Sequence, residues 1–282
     1  MKLYRYIPAL DQKDETKLYS GMLENLQNAI LRFVHPASLN DPLEAIIPYQ
    51  FKENGEIVKP DQEKIKSIIQ EASGIKDWNS PRGRRISETM PFGITLEYAL
   101  MLSMSKAKDH QLMWAHYANQ HKGICLEFDF PDNPEDFLKE VKWSVDMPDD
   151  KLGLYPVAGE VNYEHQRTPI IFEDGKATND YDIRDALLSK PKCWEYELEY
   201  RILLCYPWNS ERRFGAGSNN RGYFFKYPKE WLTGITFGMR LQDSFREKIA
   251  ACVCDAGYQN VEWREERLEN DKFEITSKAI AV

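Results

Sequence analysis

Positive charge, cysteine and long apolar runs are all scarce in this chain of 282 residues. Lysine and arginine total 37 against 45 aspartates and glutamates, a formal net charge of −8. That surplus works against broad attraction to nucleic acid or to an anionic membrane. The start, Met1-Lys2-Leu3-Tyr4-Arg5-Tyr6-Ile7-Pro8, carries no apolar core of the kind a secretory leader needs. No run approaches the ~18 apolar residues of a membrane helix. A cytoplasmic protein without a membrane partner is therefore expected. The cysteines number 5 and are scattered, and no pair has the spacing of a zinc site. Cys252 and Cys254 fall about 200° apart on an expected helix and cannot share a metal. Free thiols in a reducing compartment are expected, and no metal centre. Internal repeats and low-complexity tracts are also missing.

Aromatic residues are plentiful: 15 Tyr, 13 Phe and 7 Trp, enough ring surface for a core and for a stacked ligand. The most informative stretch is Trp194-Glu195-Tyr196-Glu197-Leu198-Glu199-Tyr200-Arg201-Ile202-Leu203-Leu204. Read as one strand, it puts Trp194, Tyr196, Leu198, Tyr200, Ile202 and Leu204 on an apolar face. Glu195, Glu197, Glu199 and Arg201 line the other, successive positions being roughly 7 Å apart. Three like charges in a row need a cation or a ligand to offset them. A face that simply meets water is the plainer reading; carboxylates in a cleft offer acid/base work or a grip on hydroxyls.

In chain order, residues 2–7 predict a first strand, with Leu3 and Arg5 on one face and Tyr4 and Tyr6 on the other. A helix from Ser20 and a short strand at 31–34 follow. His35-Pro36-Ala37-Ser38-Leu39-Asn40-Asp41-Pro42-Leu43-Glu44 reads as a stiff polar turn, suited to a helix cap or to ligand contacts. Residues 48–90 change character, with a helix from Pro60-Asp61 and the basic loop Arg82-Gly83-Arg84-Arg85, and read as a helical insertion or lid. Asp109 is placed to cap a buried helix running to about Gln120. Trp114, Tyr117 and His121 share one of its faces, and Met113 and His116 another. Gly123 ends it, and the period changes to two in a strand from Ile124 to Phe130. Residues 131–158 read as surface connection. Strands at 160–163, 223–225, 234–238, 261–268 and 272–275 follow, with a helix at 180–188 and another opened by the capping box Ser244-Phe245-Arg246-Glu247. Residues 212–222 are glycine-rich and basic but are neither a P-loop nor a dinucleotide fingerprint. Strands and helices without regular βαβ alternation predict a single α+β domain over 1–282, with mixed or antiparallel central sheets flanked by helices.

Four segments together resemble an uncharacterised bacterial family, domain of unknown function 2971: Leu3-Tyr4-Arg5-Tyr6, the turn from Leu39 to Glu44, Met113-Trp114-Ala115-His116-Tyr117-Ala118 with His121-Lys122-Gly123, and the stretch from Trp194 to Arg201. The resemblance implies a link to variable gene neighbourhoods, phage-defence islands among them. More distantly, the order Arg5, Ser38, Glu197-Leu198-Glu199 is similar to the ADP-ribosyltransferase fold. That class sets a polar residue on its first strand, a Ser or Tyr on a second, and a Glu, often as Glu-x-Glu, on a late strand. The Ser-Thr-Ser element of the class is absent.

This likeness implies NAD as substrate, with an oxocarbenium-like state stabilised by Glu199, an attacking group oriented by Glu197, and pyrophosphate held by Arg5 or the arginines of 82–85. The candidate catalytic residues are Glu199, Glu197 and His121. The candidate ligand contacts are Arg5, Ser38, Asn40, Asp41, Trp114, His116, Tyr117, Tyr196 and Arg201. The expected function is an NAD-processing enzyme, a transferase or glycohydrolase, in bacterial defence or a toxin system, with a protein or nucleic-acid acceptor left open. Two alternatives stand beside it. One is a non-catalytic module binding a small nucleotide or a partner. The other is a metal-dependent phosphoesterase or nuclease using Glu127, Asp129 and the glutamate stretch, assisted by His121 and Lys122.

Overall fold

The computed structural model describes residues 1–36, 39, 41, 44, 46–59, 61–73, 77–80, 84, 87, 94–95, 99–133, 136, 142–143, 155–173, 176–178, 183–206, 223–269 and 271–282. Ser38, Asn40, most of the basic loop at 82–85 and the glycine-rich loop at 212–222 lie outside the described residues.

The chain begins with β1 (Lys2–Ile7), α1 (Ser20–Asn28) and β2 (Ile30–Phe33). Then come β3 (Ile46–Ile47), β4 (Tyr49–Glu53), β5 (Glu56–Val58), α2 (Gln62–Ser73) and β6 (Ile94–Thr95). The middle of the chain forms β7 (Ala99–Ser105), α3 (Gln111–Tyr117), β8 (Ile124–Asp129), β9 (Lys142–Trp143), β10 (Tyr155–Glu160), β11 (Asn162–Glu164), β12 (Ile170–Glu173) and β13 (Lys176–Ala177). The last third holds α4 (Ile183–Leu187), β14 (Ser189–Pro191), β15 (Glu199–Cys205), β16 (Tyr223–Lys226), β17 (Leu232–Phe237), α5 (Asp243–Asp255), β18 (Glu262–Leu268) and β19 (Ile275–Ala279).

Eight strands make the central sheet, in the order β10-β15-β7-β1-β8-β17-β18-β19. Its pairs are antiparallel except β17 with β18, which α5 joins. The fold is thus α+β with a mixed central sheet and flanking helices. One face carries the main core, from Leu3, Leu102, Phe128 and Ile235 to Met22 and Leu26 of α1 and Ile249 of α5. The other face carries a smaller core under α3, where Tyr6, Met113, Trp114 and Cys125 meet. The 48–58 part of the expected insertion is the β4–β5 hairpin, and β4 runs parallel to β12 in a separate small sheet.

Several boundaries differ from the sequence reading. Residues 155–158, expected in a surface connection, belong to β10. Neither Asp109 nor Ser244 caps a helix. His110 and Gln242 hold the cap positions without a side-chain bond, and Asp109 instead accepts from the Ser277 hydroxyl at 3.0 Å. Helix α3 stops at Tyr117, and Asn119, Gln120 and His121 follow with φ of 46°, 55° and 68°. Three successive left-handed residues without glycine are strained. They are held from outside: the Arg240 N–H donates to the His121 carbonyl at 3.0 Å and the Gly238 N–H to that of Gly123 at 2.9 Å.

The largest departure is at the glutamates. Residues 192–197 form a 3-10 turn, Leu198 takes a left-handed φ of 42°, and the strand starts at Glu199. One alternating face from 194 to 204 therefore does not exist. Glu195 is exposed and paired with Lys192 at 2.5 Å, while Glu197 and Glu199 are buried. Strand β15 is paired on both edges, by β10 and β7, and all of its residues but Tyr200 are buried, so both of its faces are covered. Period-two reasoning does not detect a turn that breaks the alternation at Leu198.

Strand β1 pairs with β8 along its whole length, from Lys2↔Asp129 to Ile7↔Ile124, but with β7 at Tyr4↔Ser105 alone. Farther along, β7 meets Val34, just past β2, where Val34 and Met101 exchange two backbone bonds of 2.8 Å. Strands β1 and β2 thus part company along one edge of β7, and the sheet opens into a fork.

Candidate active site in the sheet fork

A cavity of about 280 Å³ occupies the fork. Arg5 and Tyr6 line it from β1, Arg32 from β2, Ser103 and Ser105 from β7, Tyr117 from α3, and Glu44, Lys190, Glu197 and Glu199 from its charged end.

The charged end is a buried network. The Lys190 ammonium, carried in by β14, donates to Glu197 Oε2 at 2.6 Å and to Glu199 Oε2 at 3.2 Å, and lies 3.4 Å from Glu44 Oε1. The Arg201 guanidinium is fully buried; it donates to Glu199 through Nε at 2.8 Å and Nη2 at 2.9 Å, to the Leu187 carbonyl at 2.6 Å, and to Glu44. Three carboxylates therefore face two cations. Burial opposes the charge on Lys190, yet the surrounding carboxylates hold its pKa above the ordinary value. Burial pushes Glu199 up as well, but Arg201 and Lys190 outweigh it and hold this carboxyl at about 2.

Glu197 differs from Glu199. Burial raises its pKa, and the opposing pull of Lys190 and Tyr117 does not cancel the rise. The Tyr117 hydroxyl donates to its Oε1, and burial with that bond raises the phenol's own pKa. The backbone around it is pinned: Ser105 Oγ donates to the Glu197 carbonyl at 2.5 Å, and the Glu199 N–H donates to the Tyr163 hydroxyl at 2.7 Å. A carboxyl with a raised pKa, oriented from two sides and lining a cavity, is equipped for acid/base work.

Arg5 sits across the fork. Its Nη1 reaches the Ser103 carbonyl at a long 3.4 Å, and it has no carboxylate partner among the described residues. Burial, with Arg32 nearby, lowers its pKa to about 10. The residue keeps partial solvent contact, and it lines both this cavity and a smaller one of about 140 Å³. A guanidinium in such a place offers its donors to an anion.

The fork brings together Glu197, Glu199, Arg5, Tyr117 and Arg201 of the residues singled out from sequence, Arg201 as a fully buried support. The others lie elsewhere. Trp114 is completely buried and meets Tyr6 edge-on at 5.2 Å, so it presents no face for stacking a ligand. His121 donates or accepts at 2.7 Å with the buried Glu266 on β18, five strands from β15, and is not assembled with the glutamates. His116 and Tyr196 bond to each other at 2.8 Å near the surface. Asp41 accepts from Trp194 Nε1 at 3.0 Å. Glu127 is taken by Lys2 at 2.5 Å and Arg264 at 2.9 Å, and Asp129 by the terminal amine at 2.9 Å, three strands away from the glutamates. Among the described residues no group of three or more His, Cys, Asp or Glu is arranged to hold a metal.

Sequence reasoning missed Lys190, Ser105 and Arg32, and reached Glu44 only as part of the polar turn suited to a helix cap or to ligand contacts. Lys190 lies just past the helix expected at 180–188, and nothing local signals that its side chain gathers three carboxylates.

Residues 113–202 match the family described as "protein of unknown function (DUF2971)". The matched stretch contains Tyr117, Lys190, Glu197, Glu199 and Arg201; Arg5, Arg32 and Glu44 fall outside it. No curated protein and no solved structure matches the chain.

Proposed function

We propose that the fork binds the phosphate-bearing ribosyl part of a nucleotide, with NAD as substrate, and that Glu197 acts at the bond between ribose and base. One observation carries this reading. A single cavity joins Arg5, which has no carboxylate partner among the described residues, to the Glu197 carboxylate, which Tyr117 and Lys190 orient from two sides. Arg5 would fix a phosphate through paired N–H donors. Glu197 would accept from a ribose hydroxyl and stabilise the positive charge that grows on the sugar as nicotinamide leaves. Tyr117 and Lys190 would set its orientation and charge. Glu199 is spent on Arg201 and Lys190 and serves as the anchor of that arrangement, a role different from the one the sequence assigned to it.

The cavity, about 280 Å³, is just below the usual size of ligand pockets, which run roughly 300–1,000 Å³. It suits a sugar phosphate, with the rest of a dinucleotide outside the fork. Water accepts the ribosyl group in a glycohydrolase; a protein or nucleic-acid group accepts it in a transferase of ADP-ribosyltransferase type. Loss of cellular NAD is the use such an activity would have in bacterial defence or a toxin system.

A second reading, a binding module without turnover, draws on the closed network of Glu44, Glu199 and Arg201, which commits two of the three carboxylates to structure. Chromatography of NAD incubated with the purified protein separates the two. The enzyme reading expects nicotinamide release that Glu197→Gln lowers at least tenfold. Release that survives this substitution would place the chemistry elsewhere. Tight nucleotide binding without release, with and without lysate as acceptor, would favour the module.

A further inference from the structure

The arginines of the fork stand between two cavities. Arg5, Ile7 and Arg32 line the fork, and the same three residues line the smaller cavity of about 140 Å³. The smaller one lies where the chain leaves β1 at Pro8, passes through α1 and returns as β2. Met22 and Leu26 wall it from α1, Ile30 from β2 and Phe128 from β8. Tyr19 lines it too and is exposed, so the cavity reaches solvent beside the start of α1.

Its wall is apolar apart from the guanidiniums and one amide. Asn25 lies three residues after Met22 and one before Leu26, so the face of α1 that packs those two into the core also carries a carboxamide. That side chain has no hydrogen bond among the described residues. Nor does any carboxylate line this cavity among them, whereas Glu44, Glu197 and Glu199 line the fork. An anion resting on the arginines thus meets no like charge on the α1 side. A cavity of about 150 Å³ takes one benzene-sized ring. At about 140 Å³ the smaller cavity has room for a ring and not for a whole nucleoside.

We propose that the two cavities hold the two arms of one ligand: a pyrophosphate on Arg5 and Arg32, the reacting ribose in the fork, and the heteroaromatic base of the second arm in the smaller cavity. Guanidiniums offer paired donors to phosphate oxygens. Apolar walls cover the faces of a ring, and the Asn25 carboxamide sets a donor beside an acceptor, the pattern that a base edge complements. The inference deepens the reading of the fork and rests on it. It makes the substrate a ribosyl group joined through a pyrophosphate to a second nucleoside, since a mononucleotide would leave one cavity empty.

The test is calorimetry on the full chain with two probes, ADP-ribose and ribose 5-phosphate, against the wild type and Asn25→Trp. The indole fills the ring cavity from α1. Asn25 is only half-buried, so the variant should fold, and its melting temperature checks that it does. If that temperature falls, Asn25→Leu, similar in size and without the amide, takes its place. ADP-ribose should bind the wild type and lose at least tenfold in Asn25→Trp, or at least threefold in Asn25→Leu. Ribose 5-phosphate, which carries no base, should bind wild type and variant within twofold of each other. ADP-ribose binding that the variant leaves unchanged, or equal losses for both probes, overturns the base cavity and leaves the fork reading standing. No binding of either probe by the wild type overturns the fork reading, and this inference falls with it; the two failures are therefore distinct.

Discussion

A guanidinium taken out of water without a carboxylate costs stability for as long as it stays charged. Arg5, half-buried in the wall of the fork, is partly in that position, with one long bond to a carbonyl and a pKa lowered to about 10. Arg5→Met should therefore raise the free energy of unfolding by about 1–3 kcal/mol in urea titrations, while removing the anion contact. A loss of stability would mean that Arg5 is a structural residue. Glu199 obeys the opposite arithmetic. Its folded pKa, about 2, lies below the ordinary 4.5, so its contribution to stability is complete above 4.5 and is lost as the pH falls from there towards 2. Glu197, with a raised value, contributes below 4.5 and loses that contribution as the pH rises through its folded pKa. Glu199→Gln should flatten the acid limb of the stability curve between about 4.5 and 2, as urea midpoints across that window would show. An unaltered acid limb would place the ion pairing of Glu199 in doubt.

Elements show why the sequence was legible in some places and not in others. Strand β8 was readable because its neighbours and its period agree, and β1 because Leu3 and Arg5 alternate with Tyr4 and Tyr6. The stretch from Trp194 failed because alternation is a local signal, whereas the turn at Leu198 serves a contact with Lys190 on another strand. The end of α3 failed for a related reason: Asn119, Gln120 and His121 are not residues that announce three left-handed φ angles in a row. Their conformation depends on close backbone approach from the segment after β17. A Cβ placed on Gly238 would lie 2.2 Å from the His121 carbonyl oxygen. Backbone cannot yield as a flexible side chain does, so Gly238→Ala should cost about 3 kcal/mol or more in chemical denaturation, at or above the upper end of overpacking. A cost below about 1 kcal/mol would show that the turn relaxes freely.

At the scale of the whole molecule, an acidic chain keeps a small cationic patch inside a gap in its own sheet. The net charge of −8 repels polyanions at long range. In the proposed function, Arg5 and Arg32, which line the fork, would select a small anion that can enter. Fold class, the flanking helices and five of the residues that meet in the fork were readable from the chain. The fork was not, because it arises where β7 leaves β1 for Val34, and no residue marks that exchange. The account stands or falls on whether the fork binds a phosphate-bearing ribosyl group through Arg5. Calorimetric titration of ADP-ribose into the wild type and into Arg5→Met measures this directly. Binding through Arg5 requires saturable uptake by the wild type and at least a tenfold loss in a variant that is folded and no less stable. No binding by the wild type, or equal binding by both proteins, would contradict it.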